Sequence, residues 1–93
     1  MSVTRADVID AVTVRDGWAV LSIHHFEDWD EVEEPEEAMR RKLETYFDYV
    51  AGPRFQQRLH RVPARVELVS LDPVPEGVRE LCASHGVEIS EGV

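Results

Sequence analysis

The stretch VIDAVTVRDGWAVLSIHH, residues 8–25, decides the fold. Two β-branched and aromatic runs, Val8 to Val14 and Trp18 to His25, flank Asp16-Gly17. Asp-Gly tolerates the positive φ angles that a type I′ hairpin turn demands at both central positions, so a two-residue β-hairpin is predicted. Such a turn fixes the register: residues whose numbers sum to 33 face one another, which pairs Val14 with Ala19, Val12 with Leu21 and Asp10 with Ile23. One face then carries Val8, Val12, Val14, Ala19, Leu21 and Ile23, and is expected to lie under helices. The other carries Ile9, Ala11, Thr13, Arg15, Trp18, Val20, Ser22 and His24. Trp18 and Val20 make it more apolar than an open sheet face requires, and both are candidate interaction residues.

Downstream of the hairpin the period changes. Met39, Leu43, Tyr46, Phe47 and Val50 recur at helical spacing, with Pro35 suited to the first turn and Gly52-Pro53 ending the run. Glu36 with Arg40 and Glu37 with Arg41 stand four residues apart in the favourable order, each pair contributing a few tenths of a kcal/mol. The segment Arg54 to Arg61 has the spacing of one short helical turn with Phe55 and Leu59 inward, stopped by Pro63. Arg65 to Leu71 reads as a third strand. Pro73 and Pro75 open a second helix whose Val78, Leu81, Cys82 and His85 share a face, Gly86 caps it, and Val87 to Ser90 supplies a fourth strand. The expected architecture is a single α+β domain spanning residues 1–93. A β-hairpin is followed by α-β-α-β, giving one four-stranded sheet with two helices packed on one face.

Ninety-three residues, 43% of them hydrophobic and 31% charged, suffice for one core without metal or disulfide staples. The single cysteine, Cys82, has no internal partner, and neither a secretory leader nor an apolar run of membrane-spanning length stands out, so a cytoplasmic location is expected. The net charge of −9 weighs against nucleic acid and anionic membrane as partners. That charge is polarised: eight carboxylates and no base lie between Glu27 and Glu37, whereas Arg54, Arg58, Arg61 and Arg65 occupy a segment without acids. Negative charge entering a helix complements its dipole, which accounts for the end of the acidic run after Pro35. Glu31, Glu33 and Glu34, with Trp29 beside them, have no such local role and join Arg54 and Arg58 as candidate interaction residues.

Catalytic and cofactor chemistry finds little support. His24 and His25 are adjacent on a strand and point to opposite faces, so they cannot chelate one ion; His25 with Glu27 lacks a third ligand at a diagnostic spacing. No metal and no cofactor are expected. Ser22 and His24 share a strand face but lack an acidic orienter or an oxyanion-hole motif. Cys82, on the apolar face of a helix, reads as a small buried hydrophobe with a raised pKa. No phosphate-binding glycine loop is present, and no catalytic residue is assigned.

Asp7-Val8-Ile9-Asp10, Trp29-Asp30 after the hairpin, and Lys42-Leu43 followed by Tyr46 resemble the signature of a bacterial domain-of-unknown-function family of about this length. The likeness runs through the Gly52 turn, Pro63 and Gly86. The chain departs from the family in carrying Arg40 and Glu44 where the family has Gln and Asn. The resemblance implies the same α+β fold and a bacterial origin, and it brings no biochemical activity. The expected function is a non-enzymatic protein-interaction module, homodimeric through a sheet edge or the Trp18 and Val20 face. The alternatives are an acidic inhibitor or immunity-type protein that mimics nucleic-acid charge, and a small enzyme, which would need a deep pocket.

Overall fold

Asp16 and Gly17 take φ angles of 51° and 81°, the paired positive values of a type I′ turn, and the hairpin they close has the expected register. The computed structural model describes Val3, residues 8–59 and residues 62–92. Strand β1 (Ala11–Arg15) pairs antiparallel with β2 (Trp18–His25), matching Val12 to Leu21 and Val14 to Ala19. β1 begins at Ala11 and not at Val8, so the Asp10–Ile23 pairing is absent from the ladder. At Asp10 the backbone N–H donates to the Tyr46 hydroxyl at 2.8 Å, and the carboxylate accepts the His24 N–H at 3.0 Å.

Trp29–Glu31 forms a single 3₁₀ turn, capped by the Asp28 side chain accepting from the Asp30 N–H. Helix α1 (Pro35–Ala51) follows, with Pro35 in its first turn as its fixed φ favours. Gly52 is extended, and Pro53 opens a separate helix α2 (Pro53–Leu59). Strand β3 (Ala64–Ser70), helix α3 (Glu76–Ser84) and strand β4 (Glu88–Glu91) complete the chain. α3 ends in a Schellman motif: Gly86 has φ 69°, its N–H bonds the Ala83 carbonyl at 3.3 Å, and the Val87 N–H bonds the Cys82 carbonyl at 2.8 Å.

The sheet order is β1-β2-β3-β4, with β2–β3 and β3–β4 parallel, so β1 and β4 are its edges. Parallel neighbours need long crossovers, which α1 with α2 and then α3 supply. One face of the sheet, formed by Ala19, Leu21, Ile23, Val66 and Leu68, packs against Met39, Leu43 and Tyr46 of α1, Phe55 of α2, and Val78 and Cys82 of α3. Three helices thus cover this face where two were expected. The third is the segment read as one short turn, which the buried Phe55 anchors to the core.

The position of β1 corrects one expectation. Val12 and Val14 point to the helix side but are 38% and 56% exposed, because β1 lies at the sheet edge beyond the reach of the helical layer. Phe47, expected in the core, is 39% exposed and stacks on His85 with ring centres 5.9 Å apart. Glu37, and not Glu36, takes both arginines: Arg40 one turn on and Arg41 at 3.4 Å. The Glu36 carboxylate instead lies against Gly77 in the first turn of α3.

Candidate interaction surface

The ladder directions identify which backbone groups remain open. Ala19 donates its N–H to the Pro63 carbonyl at 2.8 Å, on the β3 side. The groups of Val20 therefore point the other way, to β1, and the Thr13–Val20 pair is hydrogen-bonded whereas Val14–Ala19 and Val12–Leu21 are not. Val12 and Val14 consequently aim their N–H and C=O groups out of the sheet, and among the described residues neither makes a hydrogen bond there. The edge carries no proline, lysine, bulge or carboxylate between Ala11 and Arg15, the devices that ordinarily guard such an edge.

Trp18 lies beside this edge on the helix-free face, 39% exposed, with the Arg65 guanidinium 5.5 Å from its ring centre. Val20, assigned to the same surface from the sequence, is fully buried. It occupies a central strand between Thr13 and Arg65, and Trp18 and Ser22 flank it along the strand. Ser22 donates to Glu67 at 2.6 Å and Arg15 meets the same carboxylate at 3.5 Å, so polar side chains close over part of this face.

Trp29 is also withdrawn from the surface, being 5% exposed. Its indole N–H donates to Ser70 Oγ at 2.9 Å, and its ring packs 3.9 Å from that of His25. With the buried Val32 it pins the acidic segment to the core, which leaves Glu31, Glu33 and Glu34 exposed on a fixed ridge. None of these three, and neither Arg54 nor Arg58, forms an ion pair among the described residues, so the acidic and basic segments do not satisfy one another. Arg54 and Arg58 line a groove of about 500 Å³ with Tyr49 and Gln57. Arg61 and Asp7 lie outside the described residues.

Asp10, Lys42 and Tyr46 meet inside the protein. Lys42, fully buried on α1, reaches Asp10 Oδ1 at 3.1 Å and the Val8 carbonyl at 2.7 Å. Tyr46, one turn along, accepts the Asp10 N–H and donates to the Ser22 carbonyl at 2.9 Å. Burial raises the pKa of its hydroxyl well above the usual tyrosine value. This lock fastens the chain ahead of β1 to α1. Its signal in the sequence was a lysine three residues after Met39 and four before Tyr46, on the apolar stripe, together with an acid inside the β-branched run of residues 8–14.

His25 is buried, and Val3 donates its N–H to His25 Nδ1 at 3.2 Å. Desolvation lowers its pKa below the ordinary 6.5, against the opposing pull of Glu27 and Asp72. The unfolded chain therefore binds more protons than the folded one below about pH 6.5, and stability falls as the pH drops through that point. Thermal melts between pH 7.5 and 5 should show this loss, and His25→Asn, which keeps an acceptor near Nδ1 without titrating, should flatten it. An unaltered slope in the variant would assign the acid sensitivity elsewhere.

Burial likewise pushes the Cys82 thiol up to about 11, which suits packing and opposes nucleophilic use. Among the described residues no three His, Cys, Asp or Glu side chains gather as metal ligands, and no helix is long and apolar enough to cross a membrane. A groove of about 590 Å³ lies along the start of α1, between Glu34 and Arg41. No family model, curated protein or solved structure matches the chain.

Proposed function

We propose that the protein is a non-enzymatic, cytoplasmic protein-interaction module that takes an extended strand onto β1. The observation that carries this reading is the edge itself, where Val12 and Val14 offer open backbone groups and exposed apolar side chains together. Strand addition uses both: main-chain hydrogen bonds supply affinity, and alternate side chains supply specificity. Trp18, exposed on the opposite face beside the same edge, offers a docked strand a second apolar contact.

Val14→Pro tests the reading. The Val14 N–H is outside the β1–β2 ladder, and an edge strand accepts proline at such a position, so the fold should persist with a melting temperature within a few degrees of wild type. Association, with itself or with captured partner chains, should weaken at least tenfold in sedimentation and pull-down measurements. Undiminished association by a folded Val14→Pro protein would place the docking surface away from β1.

A further inference from the structure

We propose that the groove at the α1–α2 corner, lined by Tyr49, Arg54, Gln57 and Arg58, binds a phosphoryl group, free or as a small phosphate monoester. Neither β1 nor its docking edge takes part. In α2, Arg54, Gln57 and Arg58 recur at i, i+3 and i+4 and share one side of the helix, while Phe55 is buried in the core and Leu59 packs against it. The helix contains no acid. Among the described residues every other arginine has a partner: Arg15 has Glu67, Arg40 and Arg41 have Glu37, Arg79 has Glu91, and Arg65 has the Trp18 ring. Arg54 and Arg58 have none, in a chain with 19 acids against 10 lysines and arginines. Like charges four residues apart on a helix repel, and an anion held between them relieves that repulsion.

Packing sets the shape of the groove. At Gly52 the chain passes from α1 to α2 so closely that a Cβ would lie 3.2 and 3.3 Å from the Asp48 and Tyr49 carbonyl oxygens. Gln56 donates to the Val50 carbonyl at 2.7 Å across the corner, and the Tyr49 ring meets that of the buried Phe55 edge-on, 5.8 Å between centres. The two guanidiniums, the phenol and the carboxamide that line the groove all carry N–H or O–H donors, and among the described residues no carboxylate lines it. That donor set selects the chemistry. A phosphoryl group presents three strong acceptor oxygens in different directions and about −1.5 to −2 charge near pH 7, whereas a carboxylate presents its oxygens in one plane. The volume of about 500 Å³ also leaves room for the group that a monoester carries. Charge limits ligand size: a chain of net charge −9 repels a polyanion more strongly than a small dianion, so a nucleic-acid backbone fits less well. An open groove in that field is expected to give a dissociation constant on the order of 0.1–1 mM.

NMR titration of the isotope-labelled protein with inorganic phosphate and with phenyl phosphate, at ionic strength held constant with sodium chloride, tests the site. Both ligands should give saturable shifts confined to the α2 amides, the Gln57 side chain and the Nε–H groups of Arg54 and Arg58. Tighter binding of phenyl phosphate identifies a monoester as the class of ligand, and tighter binding of inorganic phosphate identifies the free ion. Acetate should bind at least tenfold more weakly than either. Arg54→Gln and Arg58→Gln should each weaken phosphate binding at least tenfold, the loss of charge-assisted hydrogen bonds. Both positions are exposed, so the variants should melt with the wild type. Arg41→Gln, which removes an exposed arginine already paired to Glu37, should leave phosphate binding unchanged. Absence of saturation by roughly 20 mM phosphate, where a site of about 1 mM is nearly full, would overturn the proposal. So would acetate binding as tightly as phosphate, or phosphate binding that survives the Arg54→Gln, Arg58→Gln double variant.

Discussion

Lys42→Met is expected to remove about 3–5 kcal/mol of stability, the cost of leaving a buried charge without its partner. The Asp10 and Lys42 side chains are 1% and 0% exposed, so water cannot replace the lost ammonium. The Val8 carbonyl loses a bond at the same time. A chain of this size loses about 4–8 °C of melting temperature per kcal/mol, so the variant should melt at least ~12 °C lower. Adding Asp10→Asn should recover part of the loss: the amide oxygen still accepts from the His24 N–H, and no charge is left buried. Urea denaturation of both variants measures the difference. A loss under about 1 kcal/mol for Lys42→Met would mean that the pair is screened and does not hold the segment ahead of β1.

Trp29→Ala is expected to cost a similar amount, about 3–5 kcal/mol, through the cavity left by a large ring and the loss of the bond to Ser70 Oγ. The packing against His25 goes with it, so the pH dependence assigned to His25 should also shrink as water reaches that ring. This result separates two roles for the residue. A tryptophan serving only as a docking anchor would leave denaturation unchanged and alter association, whereas the buried tryptophan seen here does the reverse. The acidic ridge should loosen in the variant, with faster amide exchange over Asp30 to Glu34, since Trp29 is one of its two anchors.

The hairpin was legible because a two-residue turn leaves no freedom: once Asp16-Gly17 is the turn, every pairing follows by counting. α1 and α3 were legible for a related reason, a 3.6-residue apolar period between a proline and a glycine. Strand order was not legible, and most of the errors trace to it. Periodicity reports which residues share a face but not whether the strand lies in the centre or at the edge. Val12 and Val14 were therefore placed under helices that stop short of them, and Val20 was placed on a surface from which its central strand withdraws it. Trp29 was misjudged for a different reason, and the burial of Lys42 was not foreseen. Each is a residue type whose burial depends on a polar partner distant in sequence, Ser70 for one and Asp10 for the other, and the local sequence does not say which partner that is.

The two fastenings of β1 have a thermodynamic consequence for docking. The type I′ turn fixes one end of the strand, and the Lys42–Asp10–Tyr46 lock fixes the chain just ahead of the other. Ordering a flexible segment costs roughly 1–2 kcal/mol per residue in backbone entropy alone. β1 meets that cost during folding, so an arriving strand gains its hydrogen bonds against an edge already held in the receptive shape. Association at such an edge needs no conformational step beforehand, and its rate should be set by collision and orientation.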